Sequence, residues 1–188
     1  MISKLLKSIK IIGMGGQGII KISLILAESI FEKGLNVVQT QTYGAEVRRG
    51  VVSADVTYET QKDTEIYDLN VDFFDYFLIM AKNGFEKYKS IINNYSTIIF
   101  SDSFSIPINE LNLKSCIKYA IPDSDVISQL KFRSSLNMCY LGALAKICPD
   151  LDIDILKNII TRESSNKYLD DNLESFQIGL DIIKKYNS

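Results

Sequence analysis

Apolar and polar residues interleave in short bursts through the first half of the chain and recur at three- and four-residue steps through the second. Lys10-Ile11-Ile12, with Ile9 before it, predicts a short buried strand running into Gly13. Over residues 18–33 the pattern turns helical, because Ile19, Ile22, Leu26 and Ile30 share one face. Gly34 stands where that helix should stop, since a C-terminal cap often needs positive φ. Residues 36–43 are rich in β-branched side chains and predict a second strand. Residues 51–58 set Val, Ala and Val against Ser, Asp and Thr, which predicts a third strand with one wetter face. Two all-apolar runs, 76–81 and 97–100, suit strands covered on both sides, and 84–93 between them suits a crossover helix.

After Pro122 the pattern is helical to the end. Asp123 or Ser124 is placed to cap one helix and Ser134 or Ser135 another, the latter followed by Leu136, Tyr140, Leu141 and Leu144. Leu169, Leu173, Phe176, Leu180 and Ile183 line one face of a last helix. No linker or internal repeat divides the chain. Strand, helix and strand in alternation predict a single Rossmann-like α/β domain over residues 1–188. Its sheet is expected to be mainly parallel and flanked by helices, with a helical C-terminal layer.

Composition narrows the chemistry. Lys and Arg total 21 against 23 Asp and Glu, a net charge of -2, which argues against a nucleic-acid partner. There is no histidine, so no Ser-His-Asp triad, Cys-His pair or His-ligated metal can be built from this chain. The cysteines, Cys116, Cys139 and Cys148, form no C-x-x-C pair, and three thiols do not complete a four-cysteine cluster site. They read as reduced, buried side chains of a cytoplasmic protein. No run approaches the ~18 apolar residues of a membrane span, and the stretch after Lys4, Lys7 and Lys10 makes a poor signal peptide.

Two segments carry candidate chemistry. Gly13-Met14-Gly15-Gly16-Gln17-Gly18 fits G-x-G-x-x-G between a strand and a helix, where free amides and the helix dipole meet an anion. The ribose-binding carboxylate of a dinucleotide site is missing, because the second strand ends Gln39-Thr40-Gln41-Thr42. The glycines are therefore expected to serve close packing and to leave amides for some other anion or a partner chain. The second segment joins Tyr43, Gly44, Glu46, Arg48, Arg49 and Gly50 in one turn at the same sheet edge. Arginine's fork suits carboxylate or phosphate. A plain Glu46–Arg48 surface pair, worth under ~1 kcal/mol, accounts for the same residues.

Taken together these residues resemble the gamma subunit of the 2-oxoacid:ferredoxin (acceptor) oxidoreductases. The family's G-x-G-G-Q-G is matched by Gly13, Gly15, Gly16, Gln17 and Gly18, and its Y-G-x-E-x-R-G-G by Tyr43, Gly44, Glu46, Arg48 and Gly50. Arg49 takes the place of the first of that motif's paired glycines. Asn137-Met138 and Leu141-Gly142-Ala143 are similar to its N-M-x-x-L-G-A segment, and Asn172, Phe176 and Gly179 to its closing helix.

The resemblance implies oxidative decarboxylation of a 2-oxoacid, with 2-oxoglutarate the expected one, to an acyl-CoA. It implies a complex using thiamine diphosphate, magnesium, iron–sulfur clusters and CoA, none of them on this chain. Alpha, beta and delta (ferredoxin-like) subunits would hold those groups. This chain would complete the assembly and shape access for CoA, with the glycine loop and the turn at residues 43–50 on the partner or CoA edge. An isolated chain, deprived of its partners, is expected to self-associate as a homodimer. The competing reading is a stand-alone NAD(P)-dependent oxidoreductase.

Overall fold

A computed structural model describes residues 6–43, 50–61, 66, 71, 73–104 and 116–185. The apolar core of the first strand proves to be the middle of a longer one, β1 (Leu6–Met14), which ends at the glycine loop. Helix α1 (Ile19–Glu32) follows with the predicted face inward, and Gly34 ends it at φ +78°. Then come β2 (Val37–Tyr43), β3 (Val51–Glu59), β4 (Tyr76–Ile79), α2 (Lys82–Tyr88), a 3₁₀ turn (Lys89–Ile91) and β5 (Thr97–Ser101). The rest is β6 (Ile117–Ile121), α3 (Asp123–Gln129), a 3₁₀ turn (Arg133–Ser135), α4 (Leu136–Ile147), α5 (Ile153–Glu163), α6 (Leu169–Ile182) and β7 (Lys184–Lys185).

These strands form one sheet in the order β2-β3-β1-β4-β5-β6-β7. Its centre, β1-β4-β5-β6, is parallel. The strands flanking that centre are antiparallel: β3 on β1, β2 on β3, and the short β7 on β6. Side chains of β1 alternate between two cores. Ile9 and Ile11 pack with α1, α4, α5 and α6, and Ile12 packs with Phe77, Ile79, Phe85, Ile98 and Phe100 beneath α2. The helical C-terminal layer is therefore one side of the sheet, with α2 on the other.

The face of β3 expected to be wetter is instead largely buried, and Ser53, Asp55 and Thr57 on it are paired, while Glu59 Oε2 at its end is buried without a partner among the described residues. Ser53 meets the Tyr88 hydroxyl at 2.9 Å, Asp55 accepts from Lys10 Nζ at 2.6 Å, and Thr57 meets Ser8 at 3.3 Å. Lys10 also lies over the rings of Phe74 and Tyr88, at 4.4 and 4.9 Å from their centroids. Burying a lysine is tolerable only with such a partner.

Three expectations for the chain after Pro122 need correction. Asp123 is the first residue of α3 and its carboxylate bonds elsewhere, while Pro122 occupies the cap position. Ser135 stands at the start of α4, but its hydroxyl caps nothing and is buried without a partner among the described residues. The chain after Pro122 is also not wholly helical, because it returns to the sheet as β7.

Helices α4 and α6 cross backbone on backbone. A Cβ placed on Gly142 would stand 2.1 Å from the Phe176 carbonyl oxygen, and one on Gly179 would stand 2.0 Å from that of Cys139. Both obstacles are main chain, so the helices would have to part. Gly179→Ala should lower unfolding stability by about 1–3 kcal/mol, and Gly142→Ala should do the same. Urea denaturation of each variant beside the native chain checks this, and an unchanged midpoint would refute the close crossing.

Candidate functional site

Strands β1 and β2 point the same way because β3 is antiparallel to both, so their C-terminal ends share one edge of the sheet. Residues 44–49, which carry Gly44, Glu46, Arg48 and Arg49, lie outside the described residues. Their anchors on either side do not. Tyr43 pairs in register with Val52, and the Gly15 amide donates to the Gly50 carbonyl at 3.1 Å. The two sequence segments thus meet at their bases.

Gln17 holds the glycine loop in shape. Its Oε1 accepts from the Met14 amide at 2.6 Å and its Nε2 donates to the Met80 carbonyl at 3.2 Å, tying the end of β1 to the end of β4. A side chain on Gly13 would strike Gln17 Oε1 and Ile19, each at 2.6 Å, so this glycine serves packing. Gly18, at φ +75°, is confined from the other side: a Cβ there would overlap Asn137 Nδ2, which donates to the Gly18 carbonyl at 3.4 Å. With Gly15 committed to Gly50 and the Gln17 amide to Met14, the amides of Gly16, Gly18 and Ile19 have no hydrogen bond among the described residues. They open the 14-residue α1, where the dipole is positive.

Clefts open on either side of Asn137. One of about 280 Å³ is lined by Gly16, Gln17, Met80, Asp123, Arg133 and Asn137. The other, about 270 Å³, shares Gly16, Ser134 and Asn137 with it and is completed by Gly18, Lys21, Tyr168 and Asn172. At its rim Phe132 and Tyr168 pack edge to face at 4.6 Å, with Lys131 and Lys167 over their rings. Buried Asp171 holds this corner by accepting from the amides of Lys131 and Phe132 at 2.7 and 3.0 Å. A third hollow, about 320 Å³, is more apolar and runs past Met14, Ile20 and Val52.

Asp123 is half-hidden in the first cleft and accepts from the buried Tyr140 hydroxyl at 2.8 Å. Burial pushes its carboxyl above the usual range, partly offset by the hydroxyls of Ser101 and Tyr140 and by Arg133. Burial, then the Asp123 carboxylate, raises Tyr140 in turn. The Cys139 thiol is pushed up to about 12 by burial and is therefore neutral at physiological pH. Unspent amides, Lys21 and Arg133 equip this edge to bind an anion. No nucleophile activated by a neighbouring base is found in the clefts among the described residues.

Asn137, Lys21, Arg133 and Tyr168 were not among the binding residues expected from the sequence, and Asp123 was expected only as a cap. One signal was available: segments that follow parallel strands begin at this same edge, which places residues 122–137 beside the loop. The dinucleotide reading fails on topology. The strand adjacent to β1 in the expected position is β3, antiparallel, and β2 lies one strand further out, about 10 Å from β1. No three His, Cys, Asp or Glu side chains converge as a metal set among the described residues. All three cysteines are buried, Cys116 in the core under α2 and the other two in the core opposite, so they do not fit a shared cluster. No helix among the described residues is long and apolar enough to cross a membrane.

A family model described as pyruvate ferredoxin/flavodoxin oxidoreductase matches residues 8–182. The 2-oxoglutarate synthase subunit KorC of Archaeoglobus fulgidus is 29% identical over 177 residues, covering 93% of this chain and 87% of its own. A 2-oxoglutarate:ferredoxin oxidoreductase from Magnetococcus marinus, solved with 2-oxoglutarate, coenzyme A and succinyl-CoA bound, superposes with a TM-score of 0.85 at 25% identity. That match covers 96% of this chain but only 31% of the longer one. The gamma subunit of a keto/oxoacid ferredoxin oxidoreductase from Geobacter sulfurreducens shares the fold, with a TM-score of 0.78 at 19% identity over 94% of this chain and 95% of its own.

The raised carboxyl of Asp123 sets a pH dependence. A folded-state value above the ordinary 3.8 means that stability is fully present below that pH and is lost as pH rises through the folded value. Asp123→Asn keeps an acceptor for Tyr140 and abolishes the titration. Its urea midpoint relative to the native chain should therefore rise between pH 4 and neutrality, and a constant difference would refute the burial of this charge.

Proposed function

The chain belongs to the pyruvate ferredoxin/flavodoxin oxidoreductase family, and on that premise we propose that it is the gamma subunit of a 2-oxoglutarate-oxidising complex. Its part is to present CoA and to complete the assembly. The complex would convert the 2-oxoacid and CoA to an acyl-CoA and carbon dioxide, passing electrons to ferredoxin or another acceptor. Thiamine diphosphate with magnesium, and iron–sulfur clusters, supply the carbon chemistry and the electron path from alpha, beta and delta partners. This chain's dispersed, buried thiols and lack of histidine do not suit it to hold them.

The observation that carries the reading is the set of uncommitted amides at Gly16, Gly18 and Ile19, beside Lys21 at the start of α1. Phosphate oxygens of CoA suit these donors. The Phe132–Tyr168 corner with Lys131 and Lys167 offers an aromatic surface and positive charge to the same ligand. Arg48 and Glu46, which belong to the family motif between Tyr43 and Gly50 in the sequence, are assigned to the same partner or CoA edge. We place the complex in the cytoplasm, in keeping with reduced thiols. A stand-alone NAD(P)-dependent enzyme is not favoured, because β2 itself carries no carboxylate or arginine and lies one strand away from β1.

Reconstitution with the partner subunits tests this. Lys21→Ala and Arg48→Ala should each raise the KM for CoA about tenfold or more, the loss expected for a charged hydrogen bond. Arg48→Ala is also expected to weaken assembly, read by co-purification. Unchanged CoA kinetics in both variants, or native isolation of the chain without a thiamine-dependent partner, would sink the assignment.

A further inference from the structure

Strand β2 closes one side of the sheet, and its outer edge has no neighbour among the described residues. It runs seven residues, Val-Val-Gln-Thr-Gln-Thr-Tyr, without charge, proline or glycine. Those are the devices by which proteins usually blunt an edge. The hydrogen-bond phase shows which groups face out. The Glu59 amide donates to the Asn36 carbonyl, so alternate residues 38, 40 and 42 bond inward to β3, and the main-chain groups of 37, 39, 41 and 43 point outward.

Helix α1 packs over β3 and β2 and shows a second apolar stripe on this flank. Ser23 accepts a bond from Gln39 of β2 at 2.9 Å. Just beyond it around the helix, Ile20, Leu24, Ala27 and Phe31 fall within about 60° of arc. Leu24 is 53% exposed and Phe31 68%. Lys21 stands toward the start of this helix, and Glu28 and Glu32, held by Arg162, toward its end.

We propose that β2 is a self-pairing edge, where two copies of this chain join antiparallel, β2 on β2, about a two-fold axis at Thr40. The pattern is self-complementary in each respect. The outward groups of 37 and 39 meet those of 43 and 41 in the other copy, so every free donor and acceptor is used. Gln39 faces Gln41, Val38 faces Thr42 and Thr40 faces itself, with no like charges opposed. The same axis inverts α1, setting Ile20 against Phe31 and Leu24 against Ala27. Lys21 then falls in height between Glu28 and Glu32 of the other copy. With strands about 4.8 Å apart, the two helix axes lie roughly 10–14 Å apart, a gap that leucine and phenylalanine side chains fill. The pairing rests on the β2 edge and the apolar stripe of α1 and does not require Lys21, which also lines a cleft, so it stands independently of what the clefts bind.

The full chain at micromolar concentration should sediment at twice its monomer mass. Thr40→Cys should form a disulfide-linked dimer under mild oxidation at least about tenfold faster than Thr42→Cys, since facing residues of a non-hydrogen-bonded pair meet disulfide distances. The native thiols are buried and leave this readout clean. Phe31→Lys, a change at an exposed side chain, should weaken the dimer about tenfold or more with circular dichroism unaltered. A monomeric chain, equal crosslinking at positions 40 and 42, or a dimer indifferent to Phe31→Lys would overturn the proposal. So would an edge that accepts a strand only from a different subunit.

Discussion

The approach of α4 to α6 at Gly142 and Gly179 sets how deeply α4 sits against the sheet, and much of the edge around the glycine loop follows from that depth. Asn137 lies one turn before the crossing and is carried to the Gly18 carbonyl, close enough that only glycine fits beneath it. Gly18 in turn begins α1 in a left-handed conformation, which turns the amides of the loop outward. Gln17 fixes the loop from below by spanning β1 and β4. Each support is main chain or an amide side chain, Asn137 buried and Gln17 half-buried, so the loop's donors are held in place before anything meets them.

Buried polar groups in this protein are tied to connections between elements. Asp171 fastens α6 to the segment before α4, and the Asp123–Tyr140 bond joins α3 to α4. At the opposite end of the sheet Asp150 accepts from Lys7 at 2.9 Å and from the Tyr58 hydroxyl at 3.0 Å, and its carbonyl accepts from Lys33. Burial and the neighbouring Cys148 keep the Tyr58 hydroxyl protonated. Such groups add little net stability when paired but penalise any arrangement that leaves one of them alone.

How much of this was legible in the sequence depends on the range of the interaction. Helix α1 and the runs that became β4 and β5 were readable because apolar spacing is local. The glycine loop was readable as a turn between a strand and a helix for the same reason, and the motifs pointed to the right family. Strand β6 escaped notice, because Ile117-Lys118-Tyr119-Ala120-Ile121 buries a lysine and follows a long connection. The antiparallel placement of β3 beside β1 escaped too, since strand order is a property of the whole sheet. Ser53, Asp55 and Thr57 looked like a solvated face because their partners, Tyr88, Lys10 and Ser8, are distant in the chain. Asn137 and Asp123 reach the loop only through the crossing of α4 and α6 and the end of β6.

That polar seam between β1 and β3 has a consequence for how the protein is made. Sliding one strand by a single residue would exchange its two faces. Lys10 would then be thrust among the isoleucines under α1, and Asp55 would be left stranded below α2. A misaligned pair therefore carries a naked charge that the correct alignment relieves, so the seam penalises every register of this long antiparallel pair but one.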